Sequence, residues 1–314
     1  MKLKISPKFI TLILTVLVIA LLAWFLLKNW AEISAFPWRI NYWYLALTII
    51  FNSLAVAVTF LVWQLMTSRL GGFSDVRSGF RLYYLSALTK RLPTSLPMIG
   101  GRILLYNQVG MNSAATMNCI LLESILVGIA GIIVFLIFFP FYTAVPKGMA
   151  ILMLITGIVL VGIFIWKPQI LIDLTNWLAI RWKKQKLTSV PNRRDILLWI
   201  GIYTLPWMLG GLSLYCVPRA VADIAAPPLI DAIGISTLAN LVSLLAMLLP
   251  INFGLKELTS AAMMTAWMPM STALIITIIH RLILTANDIL WAIGAQLLPH
   301  HPNTSQAAAN NEHN

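Results

Sequence analysis

The sequence predicts an all-α integral membrane protein of seven or eight transmembrane helices, with two broken or re-entrant segments. Three observations predict it. Of the 314 residues, 60% are hydrophobic and 10% charged, and mean hydropathy is +0.86. A soluble core cannot hide that much apolar surface. The apolar runs are long and continuous rather than alternating, which excludes a β-barrel. Finally, an apolar run breaks twice at Leu-Pro, with Gly and a basic residue soon after. The first break runs from Leu92-Pro93 to Gly100-Gly101-Arg102, the second from Leu249-Pro250 to Gly254-Leu255-Lys256-Glu257. Backbone that leaves a helix in lipid must find new hydrogen-bond partners, so a broken helix is costly and marks a place where a ligand is handled.

The elements follow in order. Each crossing needs about 20 apolar residues. Met1 to Lys8 is basic and leads into a span over 9–28. A small-residue cleavage site is missing, so this reads as an uncleaved span rather than a signal peptide. Further spans are expected over 42–66, 114–139 (ended by Pro140), 148–166 (ended by Pro168), 195–217 (ended by Pro218), 229–249 and 271–298. Segments 80–112 and 251–270 are moderately apolar and rich in Gly, Ser and Thr, and read as re-entrant hairpins or short broken helices. Residues 1–300 are expected to form one polytopic domain, and the polar tail 301–314 to be disordered.

Charge sets the expected orientation. Formal net charge is +12, and in a membrane protein such an excess gathers in cytoplasmic loops. Segment 167–194 holds Lys167, Arg181, Lys183, Lys184, Lys186, Arg193 and Arg194 against Asp173. Arg69, Arg77 and Arg81, and the N-terminal lysines, fall on the same side. The N-terminus is therefore expected inside. Ile170, Leu171, Leu174, Trp177, Leu178 and Trp182 recur at helical spacing before the basic cluster, which predicts an amphipathic helix on the cytoplasmic leaflet. Trp38, Tyr42, Trp43, Tyr44, Trp199, Tyr203 and Trp207 crowd span ends and read mostly as interfacial belt residues. Cys119 and Cys216 lie in apolar runs and read as small buried hydrophobes. No basic domain stands apart from the spans, so nucleic acid is not an expected partner.

The two breaks head comparable segments, which suggests an internal repeat. Aligned without a gap, Ser113 meets Ser271, Ala115 meets Ala273 and Glu123 meets Arg281. Each Ser is a candidate N-cap. The pattern leaves open whether the halves are inverted or parallel.

An ionisable residue inside a span costs roughly 2.5–3.5 kcal/mol and is usually functional or paired. Glu123, His280, Arg281 and Asp288 qualify, and Arg102, Lys256 and Glu257 sit at the breaks. The functional reading is a cavity for an anionic lipid headgroup. Arg102, Lys256 and Arg281 would contact phosphate, and Gly100, Gly101 and Gly254 would let backbone N–H groups approach it. Glu123, Glu257 and Asp288 would be counter-charges, or proton carriers if transport is proton-coupled. The plainer reading is internal pairing, Arg102 with Glu123 and Arg281 with Asp288. His280 has no Cys or His partner at ligand spacing, so neither a metal nor a cofactor is expected. P-loop, G-x-S-x-G, H-E-x-x-H and D-x-D motifs are missing. Asp223 and Asp231, near Pro227-Pro228, read as part of a solvated outer loop.

Leu92-Pro93, Gly100-Gly101-Arg102 and Leu105-Tyr106-Asn107-Gln108-Val109-Gly110-Met111, followed by a span with Glu123, resemble the lysylphosphatidylglycerol synthase transmembrane family. So does the run Leu249 to Glu257 followed by Arg281. Thr94 and Ser95 replace a glycine of the first family motif, and Asn252 stands for a glycine of the second. The resemblance covers nearly the whole chain. It implies a flippase-like domain in a bacterial or archaeal cytoplasmic membrane, with a phospholipid or polyprenyl-phosphate lipid as partner. It also implies that the chain ends before the soluble aminoacyl-transfer domain of bifunctional members. The expected function is lipid translocation. The alternative is a catalytic or accessory component of a lipid-linked glycosyl-transfer pathway, with a glycosyltransferase or lipid synthase as partner.

Overall fold

The computed structural model describes residues 31, 34, 38–88, 96–142, 145–167, 169–181, 191–222, 224–246 and 254–297. The first predicted span, both Leu-Pro dipeptides, Lys90, Arg91, Asp223 and the polar tail lie outside the described residues. Ten α-helices make up the described chain: α1 Tyr42–Gly71, α2 Val76–Leu88, α3 Leu96–Asn107, α4 Ser113–Phe138, α5 Lys147–Trp166, α6 Gln169–Arg181, α7 Arg193–Val221, α8 Leu229–Ala246, α9 Leu255–Met264 and α10 Met270–Gln296. Helices α1, α4, α5, α7 and α10 are long and apolar enough to cross a membrane, and α8 is a shorter apolar helix. The protein is an all-α, multi-pass membrane protein.

Local sequence sets several boundaries. The Asn41 side chain accepts from Trp43 N at 3.1 Å and starts α1, and Gly72 at φ 66° ends it in the left-handed region. Neither serine expected to cap a repeat span does so. Asn112 caps α4, its Oδ1 accepting from Ala114 N at 2.8 Å, while Ser113 accepts from Asn107 Nδ2. Pro269 stands at the start of α10 and Ser271 is buried inside it. Pro218 does not end its helix: α7 runs on to Val221, and Arg219 Nη1 donates back to Tyr215 O at 2.7 Å.

Helix α7 is the central element, antiparallel to α1. Asn41 N donates to Ala220 O at 2.8 Å at one end of the pair, and Arg69 lies 3.8 Å from Asp195 at the other. These helices are about 45 Å long, more than a hydrocarbon core is thick. Their ends therefore mark two faces, one carrying Arg69, Arg77 and Arg193, the other carrying Arg39 and Arg219. Because α7 is packed by α1, α4 and α8, its aromatics serve the core rather than the interface. Trp199, Tyr203 and Trp207 are buried, and Trp207 Nε1 donates to Val127 O at 3.1 Å. Tyr42 and Trp43, by contrast, are 75% and 70% exposed. Helix α5 lies at the periphery and exposes Ile151, Leu152, Ile155 and Ile158. Cys119 and Cys216 are both buried thiols.

The broken segments form two hairpin-like units that open to opposite faces. Helix α2 begins at the Arg69 face, and α3 returns there, since Tyr106 Oη donates to Gly79 O at 3.3 Å. Gly110 turns the chain at φ 88°, and α4 crosses. At the far face Phe139 packs against Gly234 in the first turns of α8, and Tyr142 Oη donates to Met263 O at the end of α9 at 2.7 Å. So α8 starts and α9 finishes at that face. Helix α10 then crosses back, its Trp291 stacked on Tyr84 of α2 at 5.4 Å. Segment 229–249, expected as an independent span, is one arm of the second hairpin. Each unit runs arm, break, arm, turn, crossing helix, and the two are inverted relative to each other.

Helix α6 departs from its expected pattern. It buries Leu171, Ile172 and Thr175 and exposes Ile170, Leu174 and Trp177. The apolar residues serve two faces, one against α4 and one directed outward, which suits a helix lying in lipid.

Candidate functional site

Each hairpin joins its second arm to the next crossing helix by an ion pair. In the first, Arg102 of α3 reaches Glu123 of α4, with Nη1 2.6 Å from Oε2. Arg102 Nε donates to Ser86 Oγ at 3.2 Å. The guanidinium lies over the rings of Trp63, at 4.2 Å, and Tyr83, at 4.7 Å. It is fully buried, and its Nη2 has no hydrogen-bond partner among the described residues. Trp63 is itself fixed, donating from Nε1 to Tyr106 Oη at 2.6 Å. A guanidinium packed against two rings and held by a carboxylate is desolvated and closely confined.

In the second, the charges change places. Glu257 of α9 accepts through Oε1 from Arg281 Nη1 of α10 at 2.9 Å. This corrects the expected Arg281–Asp288 pairing. The short helix α9 packs against α8 and α10 and brings a carboxylate nearer than the one two turns along. Asp288 lies instead on the side of α10 toward Tyr84. Glu257 Oε2 has no hydrogen-bond partner among the described residues, although the residue is 4% exposed. The Arg281 side chain keeps 31% of its surface. Around the pair lies a narrow space of about 10 Å³, lined by Lys256, Glu257, Ser260, Thr277, His280, Arg281 and Leu284. That is room for about one water. His280 Nε2 lies 3.0 Å from Ser213 Oγ, so it is a hydrogen-bonded core histidine.

The predicted residues thus fall into two groups. Lys256, Glu257 and Arg281 share one small space, and Arg102 and Glu123 form a separate pair whose partners include none of them. Gly100 and Gly101 lie inside α3 rather than at a break. An added Cβ at Gly100 would meet nothing within 4 Å. Gly254 is the N-cap of α9 at φ 89°, a conformation that favours glycine. Asp231 is not in a solvated loop: it is 3% exposed in the first turn of α8, where the positive end of the helix favours its charge. Trp63, Tyr83, Ser86 and Ser213 were not anticipated as site residues. Only an uncommon density of aromatics over 60–84 could have pointed to the first two.

The chain has no match among curated proteins and none among solved structures. A family model described as the lysylphosphatidylglycerol synthase TM region matches residues 12–291, a stretch that includes both hairpins and both ion pairs. By that match the chain belongs to the lysylphosphatidylglycerol synthase TM region family, and its function is related to membrane lipid.

Proposed function

We propose that the protein translocates a lipid with an anionic headgroup, a phospholipid or polyprenyl phosphate, across a bacterial or archaeal cytoplasmic membrane. The observation that carries this reading is the pair of inverted hairpins, each bound to its crossing helix by an ion pair. Hairpins that open to opposite faces allow access from each side in turn. The Arg69 face is the cytoplasmic one, because basic residues gather on that side.

The headgroup engages Lys256 and Arg281. Arg281 is part-exposed and Glu257 has one oxygen to spare, so a phosphate competing for Arg281 displaces a carboxylate that is only singly held. With about 10 Å³ available, the space is closed here, and entry requires α9 to move from α10. Arg102 and Glu123 hold the first arm against α4. The backbone at Gly254 and the first turn of α9 add N–H donors aimed at an anion, and the lipid tails remain in the bilayer.

The test is a headgroup-accessibility assay in proteoliposomes with fluorescent lipids. Lys256→Gln and Arg281→Gln are expected to slow translocation by about an order of magnitude, the scale of one charge-assisted hydrogen bond. Rates equal to wild type in both variants, over a panel of anionic lipids, would refute the reading.

A further inference from the structure

A further cavity lies away from both ion pairs, at the face opposite Arg69. It has a volume of about 800 Å³ and is lined by Arg39, Asn41, Tyr42, Trp43, Arg219 and Ala222, among others. Its walls are built rather than incidental. Arg39 N donates to Val221 O at 3.0 Å, and Trp38 pairs with Ala222 in an isolated β-bridge. That ties the segment before α1 to the end of α7. The Arg219 guanidinium is oriented by three contacts. Nη1 donates to Tyr215 O at 2.7 Å, Nη2 donates to Pro227 O at 3.2 Å, and the group lies 3.7 Å over the Tyr215 ring.

Charge and depth identify the chemistry. Two guanidiniums line the cavity, and none of its described lining residues is acidic. An arginine carries five N–H donors, and the two carbonyl contacts of Arg219 use only part of that set. The N-terminus of α1 also borders the space and contributes the positive end of its dipole. Tyr42 and Trp43 are exposed on the rim, as aromatic side chains are at headgroup depth.

We infer that this cavity is a second anion site, which takes a phosphate ester at the face opposite the arginine-rich one. The recognised group is the phosphate itself, carried by a lipid headgroup or by a soluble phosphate ester. The inference concerns binding and stands apart from translocation.

Native mass spectrometry of the full-length protein tests it, comparing retention of phosphatidylglycerol with phosphatidylcholine, and adding glycerol 3-phosphate as a soluble competitor. Wild type is expected to prefer phosphatidylglycerol. Arg39→Gln/Arg219→Gln is expected to lose that preference roughly tenfold, and Arg39→Lys to keep most of it. Displacement by glycerol 3-phosphate assigns the site to a free ester, and resistance assigns it to a lipid headgroup; either supports an anion site. Equal retention by wild type and the double variant overturns it. If the double variant does not fold, Arg39→Gln alone, at an exposed side chain, gives the same readout. A flat translocation series at Lys256 and Arg281 would sink the translocase reading and leave this one standing, and equal retention here would do the reverse.

Discussion

Arg102 is the residue whose chemistry is most tightly determined by its neighbours. It is buried among Trp63, Tyr83, Ser86 and Glu123. Removing one partner of such a pair leaves an uncompensated charge, which costs about 3–5 kcal/mol. Glu123→Ala and Arg102→Ala are each expected to lower the melting temperature sharply in detergent. The double variant should lose much less than the sum, since the orphaned charge is gone. Additive losses would show that the two side chains act independently. This pair was legible in the sequence, because two opposite charges in lipid tend to find each other. The partner of Arg281 was not. Asp288 shares its helix face at a spacing of seven, but which carboxylate comes close depends on how α9 packs, and local spacing does not encode that. The serines were misread for a similar reason. Asn112 and Pro269 each stand one or two positions earlier and set the helix starts instead.

At the scale of elements, the helices depend on close approach at a few positions. Gly211 of α7 faces Ile233 of α8 so tightly that an added Cβ would lie 2.5 Å from Ile233 Cα. Gly211→Ala is expected to destabilise by about 1–3 kcal/mol through overpacking against backbone, seen as a lower melting temperature. Gly100→Ala, in open space inside α3, is expected to be neutral or stabilising by up to about 1 kcal/mol. If both variants melt alike, the α7–α8 contact is not tight. The long helices were legible from apolar length, with ends displaced by a few residues. Arms α2, α3 and α9 were visible only as doubtful spans, because a short helix in a hairpin has neither the length nor the uniform hydropathy of a crossing, whereas α8 is apolar enough to read as a full span. Their direction was invisible, since it comes from contacts such as Tyr142 with Met263 that join residues 121 positions apart.

For the whole molecule, the inverted arrangement makes a topological prediction. Ser74→Cys, near the start of α2, and Leu297→Cys, just past α10, are expected to react with a membrane-impermeant maleimide from one side. Ile40→Cys is expected to react from the other. Cys119 and Cys216 are buried, so the native thiols give little background. Labelling of Ser74→Cys and Leu297→Cys from opposite sides would break the inversion. The charge distribution had already predicted two faces. It did not predict that one hairpin opens to each, because both breaks look alike in sequence while the helix leading into each runs in the opposite sense.

One oxygen atom has an outsized place in this layout. Tyr106 Oη accepts from Trp63 Nε1 on α1 and donates to Gly79 O on α2, while its own backbone belongs to α3. Three helices therefore meet at a single hydroxyl. The first hairpin is tied to α1 at that point, and sliding it along α1 must break the bond from Trp63, while the bond to Gly79 holds its two arms together. Tyr106→Phe removes both bonds and leaves the ring, so it is expected to loosen the first hairpin from α1 and its arms from each other without emptying the core.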